Sequence, residues 1–505
     1  MERNNKSEYR HSSSPGEDGK SRGTSSPGSD GNPSFRIITL GCKVNQYETD
    51  RIARKLCLMG FRLADEGESV DVCIINTCAV TSEASRKSRQ AIRRLKRQSP
   101  DAVVFALGCA VEIKDGELFN LPEDIRYVGN DEKENFPEMI AGIFHGSQET
   151  VEKVNNSIIS FGSPLHPPSK RGETTSSPAN KGELEFSSTP ATKHTRAYIK
   201  VQDGCDSFCS YCIIPYLRGR SRSRPPEEIL EELKEIESAG YKEIVLTGIH
   251  MGDYGKGLDR TIELGDLVDY LAINSSIPRI RLSSLEPMDF SFKLLDVMKR
   301  HSRICHHLHL PLQHTSDKIL KLMNRKYSIE EYDRIIQRAV EFFPDIAITT
   351  DVIIGFPGET DRDFRIMYEY VRSAPFSNLH CFPYSPRKGT AASKMEGIIA
   401  SDVKKERLRE ILHLGKQKSH NFLDGFIGKN LSVLVEKQVN SKQDEKKTSS
   451  GKRGKLELFQ GHTPNYISVM FKSQENLTGN IVCIKAIDRT GEKIYGERVE
   501  SICDS

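Results

Sequence analysis

The sequence lacks a dominant charge, a long hydrophobic run and a secretory signal. Its 505 residues include 73 basic and 70 acidic side chains, which gives a formal net charge of +3. The net charge therefore gives no reason to expect binding to nucleic acid, and such a prediction has to rest on local clusters of basic residues. No apolar stretch approaches the roughly 20 residues of a membrane helix, and the polar N-terminus has no apolar core. The sequence therefore predicts a cytoplasmic protein without a membrane segment.

Polar segments of low complexity divide the chain. Residues 1–33 are predicted to be a disordered tail and residues 151–190 a linker, and a shorter polar run occupies 439–455. Such stretches bury too little apolar surface to offset the entropy of the chain. The folded blocks that are left are 34–150, 191–421 and 422–505.

Strand-like apolar runs alternate with helical stretches in the first two blocks, which predicts α/β domains with parallel sheets. In the first block the strands are 35–40, 70–75 and 102–107, and the helices include 46–59 and 82–98. The second block predicts a partial (β/α)6 barrel with strands at 197–202, 243–247, 279–284, 306–312, 346–354 and 379–384. The last block has short alternating strands, such as NYISVMF, and predicts a small all-β barrel.

Three cysteines follow the first strand of the middle block in the segment VQDGCDSFCSYCIIP. Cys205, Cys209 and Cys212 have the spacing C-x3-C-x2-C, which lets their thiolates surround one metal centre. A structural zinc site and a ferredoxin-type cluster each take four protein ligands, and no fourth Cys or His follows nearby. A four-iron cluster on three thiolates would keep one iron open for an outside ligand. A zinc site completed from elsewhere in the chain is the alternative.

A second set of cysteines lies in the first block. Cys42, Cys78 and Cys109 each follow a predicted strand, in the contexts Leu-Gly-Cys, Asn-Thr-Cys and Leu-Gly-Cys. The carboxyl ends of parallel strands share one edge of a sheet, where ligand sites form. A lone free cysteine is usually a small buried hydrophobe, but three at equivalent strand ends predict a second three-thiolate centre. The remaining cysteines are predicted to be structural, and no partner pattern is evident for Cys305 or Cys503. They are Cys57, Cys73, Cys305, Cys381, Cys483 and Cys503.

Together the two sets resemble the radical S-adenosylmethionine methylthiotransferases. The likeness is carried by TLGCKVNQYETD, INTCAVT, LGCA and QDGCDSFCSYCIIPYLRGRSRSR, and it continues through LSSLEP, HLPLQH, NRKYS, TTDVIIGFPGET and FPYSPRKGTAAS. It is closest to the group that modifies N6-threonylcarbamoyladenosine in tRNA. Val111 and Glu112 depart from that group, which often has Ala and Gln there.

The resemblance implies a tRNA-modifying enzyme that uses two 4Fe–4S clusters and S-adenosylmethionine. The implied ligands are Cys205, Cys209 and Cys212 for the cluster that splits S-adenosylmethionine, and Cys42, Cys78 and Cys109 for an auxiliary cluster that delivers the methylthio group. The acceptor would be C2 of N6-threonylcarbamoyladenosine next to the anticodon. The implied partners are the tRNA anticodon stem-loop, a flavodoxin- or ferredoxin-type electron donor and the iron–sulfur assembly machinery.

Segments at the ends of the barrel strands are natural contacts for S-adenosylmethionine. The candidates are Tyr211, Gly248, Ser284, Glu286 and Gln313. Tyr211, beside a cysteine ligand, is placed to shield the cluster and to offer a ring face to adenine. His307 and His309 would share one face of a strand, but no third ligand is evident, so they are predicted to line or pack the barrel.

Basic residues cluster beside both cysteine sets. Residues 84–98 carry seven basic side chains and no acidic one, and alternating arginines follow the cysteine loop of the middle block. Clustered cations are what phosphate binding needs, although a charge run alone is more often a solvated face. The predicted RNA-binding residues are Arg89, Arg93, Arg94, Arg218 and Arg220. The last block resembles the TRAM domain, a small RNA-binding barrel.

Other functions stay open on the sequence alone. The same chemistry would suit N6-isopentenyladenosine in tRNA or an aspartate of a ribosomal protein, because the choice of base follows from family likeness. A protein of another class would be a non-catalytic iron–sulfur sensor of redox state that binds RNA. Two clusters with open irons are reactive, which argues against a purely structural role.

Overall fold

The computed structural model describes residues 32–65, 67–113, 124–145, 195–439, 456–500 and 503. Nearly all of the predicted tail, linker and last polar run lie outside these residues. The described chain forms an α/β sheet, an incomplete (β/α)6 barrel and a small closed β-barrel, in that order along the sequence. This is the fold class that the sequence predicts.

The first unit is a parallel sheet with helices on both faces. Its strands are β1 Ser34–Thr39, β2 Arg62–Leu63, β3 Val72–Thr77, β4 Val103–Gly108 and β5 Ile125–Val128. Its helices are α1 Lys43–Leu58, α2 Ser82–Gln98 and α3 Phe136–His145. The strand order is β2-β1-β3-β4-β5. The three predicted strands and both predicted helices are present, and the sequence missed the short edge strands β2 and β5.

The central strand β3 explains why helices cover both faces of this sheet. Val72 and Ile74 pack into the cluster formed with α1 and α3, whereas Cys73 and Ile75 pack into the cluster formed with α2. All residues of β3 are buried, which is typical of a parallel strand between two helical layers. Because both faces are filled, ligand sites are left to the strand ends.

The middle unit contains two parallel sheets that form an incomplete barrel. Its strands are β6 Ala197–Lys200, β7 Gln202–Asp203, β8 Arg222–Ser223, β9 Glu243–Thr247, β10 Arg279–Leu282, β11 His307–His309, β12 Ala347–Ile354 and β13 Asn378–Pro383. The sheets have the orders β10-β9-β6 and β11-β12-β13, and a backbone bridge between Ser284 and His309 connects them. Within the described residues β6 and β13 are not paired, so the barrel stays open.

Helices alternate with these strands and cover the outer face of the barrel. They are α4 Ile214–Arg218, α5 Pro226–Ser238, α6 Leu264–Asn274, α7 Lys293–Arg300, α8 Asp317–Leu322, α9 Ile329–Phe342 and α10 Asp361–Ser373. Capping boxes with a Ser or Thr cap start two of them, Ser328 with Glu331 at α9 and Thr360 with Asp363 at α10. No helix among the described residues is long and apolar enough to span a membrane.

After the long helix α11, Ser401–Asp424, the chain forms a closed barrel. Its strands are β14 Asn430–Val439, β15 Glu457–His462, β16 Ser468–Ser473, β17 Ile481–Thr490 and β18 Lys493–Arg498. They close in the order β14-β15-β16-β18-β17 around a core that includes Val433, Phe459 and Phe471. Cys483 of β17 forms a disulfide with Cys503. The sequence shows no partner pattern for Cys503, because this pairing depends on the folded path of the last strands.

Two buried arginines of β10 fix the small barrel to the middle unit. Arg279 Nη2 donates to the Ser432 carbonyl oxygen at 2.8 Å, and Arg281 Nη1 donates to the Pro464 carbonyl oxygen at 2.8 Å. Glu243 balances the charge, with its Oε1 2.6 Å from Arg281 Nε. Buried charges are tolerated when they are paired and hydrogen-bonded in this way. The contact between the two units is thus polar and directional.

Candidate active site

Three of the predicted cysteine ligands follow a glycine with left-handed backbone. The pairs are Gly41 and Cys42, Gly108 and Cys109, and Gly204 and Cys205, with glycine φ values of +107°, +100° and +73°. A Cβ added at Gly41 would lie 2.8 Å from Cys78 Sγ, and one at Gly204 would lie 1.9 Å from the Arg220 carbonyl oxygen. Both the conformation and the lack of space therefore require glycine. This gives a physical reason for the recurring Gly-Cys contexts.

Cys42, Cys78 and Cys109 meet at the carboxyl edge of the first sheet, as their positions after β1, β3 and β4 predict. All three are free thiols; Cys42 is exposed, and Cys78 and Cys109 are buried. Desolvation raises the pKa of Cys78 to about 11, and the neighbouring Cys42 and Cys109 add to the effect. Cys42 Sγ lies 3.7 Å from Asn45 Oδ1. Residues far apart in sequence thus come together in a three-thiol site, called here the sheet site.

The buried guanidinium of Arg218 joins the sheet site to the middle unit. Its Nε donates to Cys109 Sγ at 3.2 Å, and its Nη2 donates to Asn45 Oδ1 at 2.7 Å. Its Nη1 donates to Glu48 Oε1 at 2.9 Å and to Asp203 Oδ1 at 3.1 Å. The Arg218 side chain is only 2% exposed, so it is out of reach of an RNA phosphate. The prediction of Arg218 as an RNA-binding residue is wrong, since it was based on the charge pattern and not on burial.

Cys205, Cys209 and Cys212 lie on the loop between β7 and α4, called here the loop site. Desolvation raises the pKa of Cys212 to about 12, with Cys209 and then Cys205 adding to it, so the thiols are neighbours. The loop passes through Phe208, whose φ is +46°. Asn324 Nδ2 donates to the Phe208 carbonyl oxygen at 2.9 Å. The segment after α8 therefore holds the loop in its unusual conformation.

Both sites fit an iron–sulfur cluster in the chemistry of their donors. Each offers three free thiols, and thiolates are the usual ligands of such clusters. Thiolates and sulfides make a cluster anionic, and each site has a guanidinium next to a thiol. Arg218 Nε is 3.2 Å from Cys109 Sγ, and Arg325 Nη1 is 3.4 Å from Cys209 Sγ. Arg325 also pairs with Glu286, which connects this predicted cofactor contact to the loop site.

One histidine that the sequence did not associate with the loop site lies beside it. His250 Nδ1 is 3.5 Å from Cys205 Sγ and 3.1 Å from Ser207 Oγ. Its Nε2 is 2.7 Å from Asp289 Oδ2. The carboxylate orients the imidazole, so that His250 supports the start of the cysteine loop. It lies 45 positions beyond Cys205, which is why the local motif gave no sign of it.

The other predicted contacts for S-adenosylmethionine lie after barrel strands or within the cysteine loop. They are Tyr211, Gly248, Ser284 and Gln313. A Cβ at Gly248 would lie 2.9 Å from Met251 Cγ, so this position has no room for a side chain. Gln313 is buried and has a φ of +59°. Tyr211 packs edge-on against Phe356, with 6.3 Å between ring centroids.

Inside the barrel, the structure adds partners for His309 that the sequence analysis missed. His309 Nε2 is 3.3 Å from Asp351 Oδ2, and His380 Nδ1 is 3.2 Å from Asp351 Oδ1. One potential ligand atom of each of these residues lies within 4.8 Å of the others. The expectation that His309 has no third ligand nearby is therefore wrong. Asp351 and His380 are register partners on β12 and β13, a relation that only strand pairing reveals.

A cavity of about 780 Å³ opens between the first unit and the segment after the loop site. Its charged lining is Glu48, Arg51, Lys55, Asp131, Lys133, Glu134, Lys200, Asp203, Arg218, Arg220 and Arg222. Arg220 and Arg222 have side chains that are 70% and 59% exposed. Of the other predicted RNA contacts, Arg93 and Arg94 are exposed on α2 and Arg89 is half-buried. Exposed arginines thus follow the loop site and lie on the last turns of α2.

Family models match the two parts of the chain that hold the cysteine sites. The Radical SAM superfamily model matches residues 199–371, and the Uncharacterized protein family UPF0004 model matches residues 34–129. Among solved structures, the radical S-adenosylmethionine methyltransferase TsrM from Kitasatospora setae aligns with a TM-score of 0.52 and 15% identity. The alignment covers 72% of this chain and 74% of that chain. At this identity the likeness shows the fold alone.

Curated relatives match almost the whole chain. The threonylcarbamoyladenosine tRNA methylthiotransferase MtaB of Bacillus subtilis (strain 168) is 35% identical over 451 residues, covering 89% of this chain and 92% of that protein. The tRNA-2-methylthio-N(6)-dimethylallyladenosine synthase of Thermoanaerobacter sp. (strain X514) is 34% identical over 478 residues, covering 93% and 94%. The chain therefore belongs to the radical S-adenosylmethionine methylthiotransferases.

Proposed function

We propose that this protein inserts a methylthio group at C2 of N6-threonylcarbamoyladenosine next to the anticodon of tRNA. The observation that carries the proposal is the presence of two separate three-thiol sites, each with a guanidinium beside one thiol. One such site is enough to split S-adenosylmethionine, so the second needs a task of its own. Membership of the methylthiotransferase family implies that this task is delivery of the sulfur.

Each site would hold one 4Fe–4S cluster, and the bound clusters with S-adenosylmethionine supply the radical and methylthio chemistry. The residues of the chain bind and orient them. At the loop site, Arg325 contacts both Cys209 and Glu286, so the carboxylate has a fixed position relative to the thiols. We assign the pocket for S-adenosylmethionine to Tyr211, Gly248, Ser284, Glu286 and Gln313.

The anticodon stem-loop would bind along the exposed arginines and the C-terminal barrel. Arg93 and Arg94 are exposed on α2, and Arg220 is exposed at the mouth of the charged cavity. The closed barrel of five strands is of the size and type that the TRAM resemblance implies. Phosphate contacts of this kind weaken with salt, because binding releases counterions.

A double variant of α2 tests this RNA surface. Arg93→Gln with Arg94→Gln should weaken binding of the anticodon stem-loop and reduce the slope of log K against log salt by about 1 to 2. Arg334→Gln, which removes an exposed arginine of α9, is the matched control. An unchanged slope in the double variant would place the RNA elsewhere.

Dimethylallyl-modified adenosine is a second candidate acceptor, because a relative named for it is as similar to this chain as one named for threonylcarbamoyladenosine. Mass analysis of tRNA nucleosides from cells with and without the gene distinguishes the two. We expect the methylthio form of N6-threonylcarbamoyladenosine to disappear with the gene and to return with the wild-type gene but not with Cys205→Ala. An unchanged level would reject the proposed base, and a change in a ribosomal protein would indicate the aspartate acceptor.

A non-catalytic redox sensor would behave differently in vitro. The anaerobic holoenzyme with a reductant should form 5′-deoxyadenosine from S-adenosylmethionine, whereas a sensor would not. A flavodoxin- or ferredoxin-type electron donor, the iron–sulfur assembly machinery and a cytoplasmic location belong to the same proposal. Reduction of the holoenzyme by purified flavodoxin, in place of a chemical reductant, tests the proposed electron donor.

A further inference from the structure

Lys43 carries a positive charge close to arginines of the middle unit. It follows Cys42 as the first residue of α1 and is half-buried. Within the described part of the chain, its ammonium group has no hydrogen-bond acceptor and no carboxylate within ion-pair distance. Arg281 and Arg196 act on this group more strongly than Glu243 does. The charges that act most strongly on Lys43 are therefore positive.

The acidic groups near Lys43 are already paired with arginines. Glu243 has three of them within ion-pair distance: Arg281 at 2.6 Å, Arg279 at 3.6 Å and Arg196 at 3.8 Å. Glu436 lies 2.9 Å from Arg196. Three arginines thus share two carboxylates, and Lys43 adds a further positive charge. An uncompensated charge in a partly buried position is unfavourable, so this region favours an anion from outside the chain.

The charge of Lys43 acts on His307, which has a buried polar atom with no partner among the described residues. It is 5% exposed, and its Nδ1 has no hydrogen-bond partner, whereas its Nε2 is 3.2 Å from Thr349 Oγ1. Burial, followed by the charges of Arg281 and Lys43, holds the pKa of His307 well below its usual value. The imidazole is therefore neutral and stacks on Tyr466 at 5.0 Å. Tyr466 is 39% exposed, so this region is open to a ligand.

This region adjoins the sheet site and the proposed pocket for S-adenosylmethionine. Lys43 is bonded to Cys42 of the sheet site. On the other side, His309 is bridged to Ser284, and Gln313 donates from its backbone N–H to the Asp351 carbonyl oxygen at 2.8 Å. Ser284 and Gln313 are the proposed contacts of S-adenosylmethionine. We expect a substrate reached from both sites to bind in this region, which we call the lumen site and define by Lys43, His307 and Tyr466.

We propose that Lys43, together with His307, binds the carboxylate of the threonylcarbamoyl group of the substrate. The inference rests on the proposed function and deepens it, because it gives a physical basis for the choice of base. The threonylcarbamoyl group ends in a carboxylate and a hydroxyl, whereas a dimethylallyl group is a hydrocarbon. A hydrocarbon would exclude water from Lys43 without pairing its charge. Because an unpaired desolvated charge is unfavourable, the dimethylallyl substrate would bind less tightly.

A simpler role for Lys43 is to stabilise the thiolate of the adjacent Cys42, and the two roles predict different results. A lysine that serves Cys42 would change the spectrum of the cluster at the sheet site and would be indifferent to the substituent on adenosine. A lysine that binds the substrate would change the preference among RNAs and leave the cluster spectrum unchanged.

The test measures binding of RNA to the anaerobic holoenzyme without S-adenosylmethionine. Three anticodon stem-loops are compared by fluorescence anisotropy: one with N6-threonylcarbamoyladenosine, one with its carboxylate as the methyl ester and one with unmodified adenosine. The wild type should bind the first about tenfold or more tightly than the second, as a partly desolvated charge pair would allow. Lys43→Met should reduce this ratio to below about twofold, and Lys43→Arg should retain most of it.

Control variants keep the result interpretable. Lys416→Met removes an exposed lysine of α11 and should keep the wild-type ratio. His307→Phe leaves the cysteine segment untouched, so a reduced ratio in that variant supports the lumen site even when Lys43→Met holds less iron. A wild-type ratio in Lys43→Met, or an altered electron paramagnetic resonance spectrum with the ratio kept, would overturn the proposal. If nucleoside analysis shows another acceptor base, the proposed function itself fails, and that result is independent of the binding ratio.

Discussion

The two cysteine sites are built in opposite ways. Cys205, Cys209 and Cys212 come from one continuous loop, whereas the thiols of the sheet site come from the ends of three strands. The loop site depends on its own backbone conformation and on nearby supports such as Asn324. The sheet site depends on the register of β1, β3 and β4. A sequence motif is therefore sufficient to identify the first, whereas the second becomes visible only through the order of strands.

The guanidinium groups beside the two sites also differ in their surroundings. Arg218 is hydrogen-bonded to Glu48 and Asp203, whose side chains are each 9% exposed. Arg325 pairs with Glu286, whose side chain is 24% exposed. The Arg218 and Arg325 side chains are both buried, at 2% and 1% exposed, so the difference lies in their partners: Arg218 pairs with two buried carboxylates, whereas Arg325 pairs with one that is closer to solvent. Stability should depend more strongly on the first.

Removal of one thiol from each site should give the largest difference between the two sites, because a different reaction should be lost in each case. Cys205→Ala should abolish formation of 5′-deoxyadenosine, whereas Cys78→Ala should keep it and lose only methylthio transfer. Each variant should hold about four irons per chain, compared with about eight in the wild type. Anaerobic iron and sulfide analysis together with a 5′-deoxyadenosine assay measures both effects. About four irons in the wild type would show that the two sites do not each hold a cluster.

Loss of the guanidinium should cost more at the sheet site than at the loop site. Arg218→Gln removes a cation from two buried carboxylates and should lower the free energy of unfolding by about 3 kcal/mol. Arg325→Gln affects one partly exposed carboxylate and should cost about 1 kcal/mol. Urea denaturation of the anaerobic holoenzymes compares the two. Equal losses would contradict the difference in burial described above.

The buried network should also make the sheet site sensitive to acid. Burial raises the pKa of Glu48, but Lys133, Arg218 and Lys200 outweigh it and lower the pKa from 4.5 to about 2. Because the folded pKa is the lower one, the carboxylate contributes stability above pH 4.5 that is lost as the pH falls towards 2. The full contribution corresponds to about 3 kcal/mol.

A pH series tests this dependence. The free energy of unfolding should fall more steeply in the wild type than in Glu48→Gln as the pH is lowered from 4.5 to about 2, the range between the two pKa values. Glu330→Gln, which changes an exposed carboxylate of α9, is the control and should follow the wild type. Parallel curves for the wild type and Glu48→Gln would show that the network does not supply this stability.

The smallest expected effect is that of replacing glycines. Two such substitutions distinguish the cost of backbone strain from the cost of a side chain that has no space. Gly41 and Gly60 both have left-handed backbone, with φ values of +107° and +88°. An added Cβ at Gly60 meets nothing within 4 Å, so Gly60→Ala should cost only about 1 kcal/mol. Gly41→Ala adds a Cβ that lies 2.8 Å from Cys78 Sγ and should also reduce the iron held at the sheet site. Equal iron contents in the two variants would show that the space beside Cys78 is not critical.

The sequence was informative where structure follows from local pattern. Apolar runs of the right length located the strands of the first two units, and the positions after β1, β3 and β4 placed three cysteines at one edge. The short edge strands β2 and β5 were missed, because β2 has only two residues and β5 has only four, of which the middle two are half-buried. Such strands carry little of the hydrophobic signal on which the prediction depends.

Contacts between distant segments could not be obtained in this way. Arg218 belongs to a series of arginines that looks solvent-exposed, and only the docking of α1 beside the cysteine loop buries it. Asp351 and His380 become neighbours of His309 through the pairing of β11, β12 and β13. In each case the partners are chosen by tertiary packing, which a linear pattern of charge or spacing does not encode.

The position of Arg218 has a consequence for how this protein can evolve. Its partners Asn45 and Glu48 lie in the first unit, and Asp203 precedes the loop site in the middle unit. A change at any of these residues in one unit leaves a buried charge or amide without its partner in the other. The two halves of the enzyme are therefore expected to change together, and chimaeras that exchange the first unit between distant relatives should work only when these residues are exchanged with it.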